Sequence, residues 1–294
     1  MLNISVPTVS RLIKRAVKDK LVEFVIRDPY IECIKLEEQI KQAFDLKDVI
    51  IAPSPHLKDE NKVESTENRK KLVALEGARY IQRIITENDV LGISWGKTMY
   101  HLIHYLNPCQ KVNAAFVTLH GSVSSIESEL DVRTLVSRIA MTFGGKNYSL
   151  LMEGLMSNAE IVNSIKQEKN VKRVFEIFDR ITISVCGIGS FYPQVESALS
   201  KSEYLCGSEL AKLKNKNVAA DLALRFIDLD GNECDTDLKD RTLSIDLDKF
   251  KKIKTKITVA AGQSKAHAVL AALKGKLVDV LITDYTLGKK LLKG

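Results

Sequence analysis

The spacing of apolar residues changes along this chain, and each change marks a different kind of element. From Ser5 to Leu21 the residues Val9, Leu12, Ile13, Ala16 and Val17 recur at intervals of three and four, which places them on one stripe of a helix. Ser5 is a suitable N-cap and Pro7 fits the first turn. Thr8, Arg11, Lys14, Arg15 and Lys18 fall on the opposite side. A helix with hydroxyls at its start and cations along its wet face can enter a major groove, its early side chains near base edges and its later ones on phosphates. Ser5, Thr8, Ser10, Arg11, Lys14 and Arg15 are therefore candidate DNA contacts, while a plain amphipathic surface helix fits the same pattern. Leu21 to Ile26 then reads as a strand stopped by Asp28-Pro29, so the order is helix, short turn, strand.

A second amphipathic stretch covers residues 32–46, with Ile34, Glu37, Glu38 and Lys41 lying within Cys33 to Phe44. It leads into a strand at Val49 to Ile51 that Pro53-Ser54-Pro55 ends. Residues 56–70 are polar and read as a loop entering a helix, whose apolar side is Val73, Gly77, Tyr80, Ile81 and Ile84. Strand-sized apolar runs follow at Val90–Ser94, Ala114–Leu119, Tyr148–Leu151, Ile181–Cys186, Leu222–Ile227, Ile257–Ala260 and Val278–Ile282, most of them separated by helix-period segments. Short buried strands alternating with helices predict an α/β fold with a mainly parallel sheet and helices on both faces. The predicted division is a front unit over 1–30, a connecting helix over 31–46 and the α/β domain over 47–294. Asp228 to Glu233 reads as a hairpin turn, since its carboxylates lack calcium-loop spacing.

Charge sharpens the picture of the front end. Residues 1–27 hold six cations against two carboxylates, so they carry more than half of the chain's net charge of +7. A basic end on a nearly balanced body suits a phosphate backbone. The five cysteines are scattered, with no C-x-x-C pair to grip zinc, and read as reduced thiols of a cytoplasmic protein. No apolar run is long enough to suggest a membrane span. His101 and His104 have a spacing that permits a shared metal, yet nothing nearby completes a site. Neither a metal nor another cofactor is expected.

In an open parallel sheet ligands bind beyond the carboxyl ends of the strands. The loop Ser94-Trp95-Gly96-Lys97-Thr98 leaves a strand directly into a helix, and its free N–H groups, glycine, lysine and hydroxyls suit a phosphate oxyanion. A plain strand-to-helix turn has the same composition, and nucleotide P-loop spacing is absent. His120-Gly121-Ser122 and Gly187-Ile188-Gly189 end other strands with small residues and N–H donors. Trp95 could stack on a sugar ring or plug the pocket floor. Ser94, Ser122 and Ser190 lack a nucleophile elbow, and no catalytic residues are assigned.

Ile4 to Leu12, with Ala16 and then Leu21 to Ile26, resembles the recognition helix and wing strand of SorC-family transcriptional regulators. Two further helices precede this one in that family, so the resemblance implies a front end that is truncated, begun at a misassigned start, or released from DNA binding. From about Ile50 onward the order of segments resembles the same family's effector domain, including Val218 to Asp221, the turn at Asp230-Gly231, and Arg241. The fold this implies is shared with sugar-phosphate isomerases and deaminases. The implied ligand is a phosphorylated sugar, with Gly96, Lys97 and Thr98 near the phosphate and Asp221 and Lys265 lining the pocket; Arg241 and Asp284 are further candidates. The family's Gly-Asp is Ala220-Asp221 here, and its Gly-Gly before the helix lysine is replaced within Gly262-Gln263-Ser264, so side-chain bulk is added near the pocket. The expected function is a transcription regulator that binds operator DNA as a dimer or tetramer and is controlled by a sugar phosphate. The alternatives are an isomerase or deaminase using Asp221, Asp284 or Lys265 for proton transfer, and a regulator acting only through hetero-oligomers with an intact relative.

Overall fold

The structure is a computed structural model that describes residues 6–19, 21, 28–54, 65–123, 129–201 and 204–293. The chain opens with helices α1 (Val6–Lys18) and α2 (Asp28–Phe44), then strand β1 (Asp48–Ala52) and α3 (Thr66–Ile84). Next come β2 (Val90–Ile93), α4 (Lys97–His104), β3 (Ala115–Thr118), α5 (Val132–Phe143) and β4 (Lys146–Tyr148). Helices α6 (Ala159–Gln167) and α7 (Lys169–Phe178) lead back to β5 (Ile183–Cys186), followed by β6 (Gly189–Ser190), α8 (Gly207–Asn215), β7 (Ala220–Leu222) and β8 (Arg225–Ile227). The remainder is α9 (Asp237–Arg241), α10 (Leu247–Lys251), β9 (Thr255–Ala260), α11 (Ala266–Lys274), β10 (Val280–Asp284) and α12 (Tyr285–Leu291).

Seven strands form one parallel sheet in the order β1-β10-β9-β5-β2-β3-β4. Side chains of each strand alternate between its faces. Leu91, Ile93, Phe116, Ile183, Val185, Ile257, Val259, Val280 and Ile282 meet α3, α4 and α5 on one side. Val49, Ile51, Val117, Leu119, Cys186 and Leu281 meet α2, α7, α11 and α12 on the other. Burial on both faces is why these strands read as continuous apolar runs rather than alternating ones. A three-stranded antiparallel sheet, β6-β7-β8, forms a smaller lobe with a core of Leu199, Leu205, Leu213, Val218, Leu224 and Phe226.

Two predicted strands are corrected. Leu222 to Ile227 is not one strand but a hairpin whose two turn residues, Ala223 (φ 49°) and Leu224 (φ 66°), adopt left-handed backbone. Both are apolar because both are buried, so the turn carries none of the usual glycine or asparagine signal. The run at Tyr148–Leu151 forms its strand earlier, at Lys146–Tyr148; Leu150 leaves the ladder, and its N–H donates instead to the Thr118 hydroxyl at 3.0 Å. The predicted turn at Asp228 is present, closed by Asp228 N–H to Asn232 O at 3.0 Å. Ser5, most of the wing strand (residues 22–26) and most of the polar stretch 56–70 lie outside the described residues. Helix α2 packs Cys33, Leu36 and Ile40 into the core that β1 and α12 share.

Candidate functional site

Adjacent strands β2 and β5 send their chains in opposite directions: β2 continues through α4 to β3, and β5 through the small lobe to β9. A crevice opens at such a reversal of strand order, beyond the carboxyl ends. Ser94 ties its walls together: its N–H donates to Val185 O at 3.1 Å and its hydroxyl accepts the Gly187 N–H at 3.3 Å.

Immediately after Ser94 the chain turns through Gly96, the N-cap of α4, at φ 110°. A Cβ there would meet no atom within 4 Å, so backbone conformation rather than crowding calls for glycine, and the space above the turn is open. No side chain caps α4, which leaves the first-turn amides of Lys97, Thr98 and Met99 without intrahelical partners. Lys97 is exposed beside them. The start of α3 approaches the same place. Glu67 accepts a hydrogen bond from His101 at 2.6 Å, which holds its carboxyl below the usual range, with Lys70 and Lys97 close enough to contribute. Lys70 also lies near Lys265. Sequence reasoning missed Lys70, Glu67 and the His101 contact because the polar run leading into α3 carries no mark of which of its charges meet α4 and Lys265.

At the other end of the crevice the Lys265 ammonium donates to Ile188 O. Burial lowers its pKa, while the neighbouring Asp221 and Glu196 carboxylates oppose that shift. Burial also raises the pKa of Asp221, whose Oδ1 accepts the Ser197 hydroxyl at 2.5 Å. Gly189 makes this approach possible: a Cβ on it would stand 1.8 Å from Asp221 Oδ1. Trp95 is half-buried and meets Tyr204 edge to face, with ring centroids 5.5 Å apart, touching both the sheet's core and that of the small lobe. It therefore forms a wall between the two units.

The remaining candidates serve the frame. The N–H groups of Gly121 and Ser122, expected as free donors, are taken by Leu243 O at 2.9 Å and Met152 O at 2.8 Å. The Ser122 hydroxyl donates to Asp131, the N-cap of α5. His120 is fully buried with both ring nitrogens engaged, and burial pushes its pKa down to about 4. Asp284 caps α12 through Thr286 and Leu287 and accepts the Gly262 N–H at 2.6 Å. Arg241 pins α9 to Met156 O and Glu209. The structure thus places Ser94, Trp95, Gly96, Lys97, Thr98, Gly187, Gly189, Asp221 and Lys265 at or beside the carboxyl ends of β2, β5 and β9. Among the described residues no cluster of three His, Cys, Asp or Glu could hold a metal, and no helix is long and apolar enough to cross a membrane.

On α1, Ser10, Arg11, Lys14 and Arg15 are exposed and Thr8 is half-buried. Its apolar stripe is equally open, with Val9, Leu12, Ile13 and Val17 between 41% and 53% exposed.

A parallel sheet whose strand order reverses between β5 and β2 is an architecture in which ligands bind beyond the carboxyl ends of the strands. Residues 28–293 match the sugar-binding domain family, and the chain belongs to it. The sorbitol operon regulator of Klebsiella pneumoniae is 29% identical over 97% of this chain and 89% of that protein. The deoxyribonucleoside regulator of Bacillus subtilis is 27% identical over 96% of this chain and 87% of its own length. The crystal structure of the full-length sorbitol operon regulator SorC from Klebsiella pneumoniae matches with a TM-score of 0.83 and 29% identity, covering 99% of this chain and 91% of that one. These matches bear out both the SorC-type resemblance and the parallel α/β fold expected from the sequence.

Proposed function

We propose that this protein is a DNA-binding transcriptional regulator of carbohydrate metabolism, controlled by a phosphorylated sugar held in the crevice between β2 and β5. The observation that carries the reading is the uncapped start of α4 behind Gly96, with Lys97 beside it, at the carboxyl end of β2, while Lys265 and Asp221 lie together beyond the ends of β9 and β5. Helix N-terminal amides and a lysine stabilise a phosphate, and the buried carboxylate offers an acceptor to sugar hydroxyls. The family relationship supports this, since the relatives named above are a sorbitol operon regulator and a deoxyribonucleoside regulator. A regulatory role is favoured over an isomerase or deaminase for the same reason, and no turnover of pentose or amino-sugar phosphates is expected.

The basic face of α1 is the proposed DNA contact, working in the cytoplasm in a dimer or tetramer. An effector that prefers one arrangement of subunits would then shift the spacing of these helices over paired half-sites. Calorimetric titration with a panel of sugar phosphates tests the assignment. Lys97→Ala should weaken the binding partner found in that panel at least tenfold without lowering the melting temperature. Unchanged affinity in the variant would remove the phosphate from this end of the crevice.

A further inference from the structure

The two ends of the crevice differ in charge. Lys97 stands at the α4 end without a carboxylate bonded to it among the described residues, whereas at the β9 end Lys265, with Lys70 near it, lies close to two carboxylates, buried Asp221 and solvent-facing Glu196. Glu196 is fastened in place. Its Oε2 accepts the Ser264 hydroxyl at 2.6 Å, and its backbone N–H donates to Ser190 O at 2.8 Å. Tyr192, on the same segment, packs edge-on against His267 with centroids 5.3 Å apart. Residues 190–197 are thus clasped to the turn that carries Lys265. The clasp depends on Ser264, in the turn just before Lys265.

Asp221 adds a demand of its own. Among the described residues it accepts a hydrogen bond only from Ser197, at Oδ1. A buried carboxylate gains from further donors. Sugar hydroxyls supply donors, whereas a phosphate at neutral pH brings mainly acceptors and negative charge. Asp221 and Glu196 offset both Lys265 and the nearby Lys70, so this end has no spare positive charge for a second anion.

We propose that the Glu196–Ser264 clasp and Asp221 make the β9 end of the crevice a hydroxyl-reading, anion-rejecting pole, so that the effector is a sugar monophosphate and not a bisphosphate. This rests on the phosphate lying at the α4 end. Calorimetric titration of the full chain with matched pairs tests it: fructose 6-phosphate against fructose 1,6-bisphosphate, glucose 6-phosphate against glucose 1,6-bisphosphate, and ribose 5-phosphate against ribose 1,5-bisphosphate. The pair whose monophosphate binds should show at least tenfold weaker binding of its bisphosphate. Glu196→Gln keeps an acceptor for Ser264 but removes the charge, and should shrink that ratio at least threefold; Ser264→Gly, which frees Glu196, should shift it the same way. A bisphosphate that binds as tightly as its monophosphate, or a ratio that Glu196→Gln leaves unmoved, overturns the proposal alone. Failure of every pair to bind overturns the phosphate reading and the proposal together.

Discussion

The backbone N–H of Trp95 donates to Nε2 of His120 at 3.2 Å, and His120 Nδ1 bonds Gly121 O at 2.7 Å, so one imidazole joins the loop after β2 to the end of β3. Accepting at Nε2 and donating at Nδ1 requires the neutral ring, and burial holds its pKa at about 4. The unfolded chain takes up this proton near the ordinary value of roughly 6.5. Folding stability that rests on the neutral ring is therefore complete above about pH 6.5 and declines as pH falls toward 4, by up to roughly 3 kcal/mol. Urea denaturation at pH 7 and at pH 4.5 should show this loss, and His120→Gln should flatten part of it. An identical pH slope in the variant would mean that His120 does not carry the dependence.

Gly189 gives a sharper test of the crevice's geometry. Any Cβ at this position collides with the Asp221 carboxylate and the Ser197 hydroxyl, which would stand 1.8 Å and 2.6 Å away. Neither is the loose end of a long side chain, and both belong to the small lobe's wall. Gly189→Ala should displace Asp221, cost roughly 1–3 kcal/mol of stability, and weaken sugar-phosphate binding. Wild-type affinity in a folded Gly189→Ala protein would indicate that Asp221 does not touch the ligand.

Arg225 is the most heavily committed side chain in the small lobe. It is 5% exposed, and its guanidinium donates to Ile245 O, Ser244 O, Lys239 O, Glu233 and Asp246 at 3.0 to 3.2 Å. It locks the β7–β8 hairpin to the segment entering α10. Removing one partner of such a buried set leaves the others uncompensated, at a cost of about 3–5 kcal/mol. Arg225→Ala should lower the melting temperature markedly. Arg225→Lys should recover only part of the loss, because one ammonium cannot reproduce the planar fork.

The parallel sheet was legible because its strands are covered on both sides: Leu91 and Ile93 pack under α3 and α4, and Cys186 and Leu281 under the opposite helices. Apolar runs of that length, punctuated by helix-period segments, leave few other folds. The hairpin at Ala223-Leu224 was illegible because burial placed apolar residues where a solvent-exposed turn would show glycine or asparagine. At the crevice, Gly96 and Lys97 could be found from composition, since an oxyanion site needs a permissive backbone next to a cation. Arg225 and Lys70 could not, for an arginine or lysine in a sequence carries no mark of whether it turns inward. The free amides expected at Gly121 and Ser122 failed for a related reason: the carbonyls that consume them, on Leu243 and Met152, come from distant segments.

The two faces of α1 make separable predictions. Arg11, Lys14 and Arg15 are exposed on its basic side; the Arg15 guanidinium contacts Asp19 at 3.4 Å, and the Arg11 guanidinium donates to the Pro7 carbonyl at 3.5 Å. If Arg11 and Lys14 neutralise DNA phosphates, each alanine substitution should lower affinity for operator DNA and reduce the slope of log K against log salt by about 1. Substitution on the other face should behave differently. Leu12 is 53% exposed and Ile13 49%, and neither belongs to the cores described for the α/β domain. Leu12→Ser should therefore leave the domain's folding stability within about 0.5 kcal/mol of the parent. Ligand affinity should likewise be unchanged, while a loss of DNA binding in Leu12→Ser without any change in salt slope would assign the stripe to seating the helix rather than to phosphate contact. Gel-shift titrations at several salt concentrations, run beside calorimetry on the same variants, separate these outcomes. A salt slope that the Arg11 and Lys14 variants leave untouched would exclude the basic face of α1 from the DNA interface.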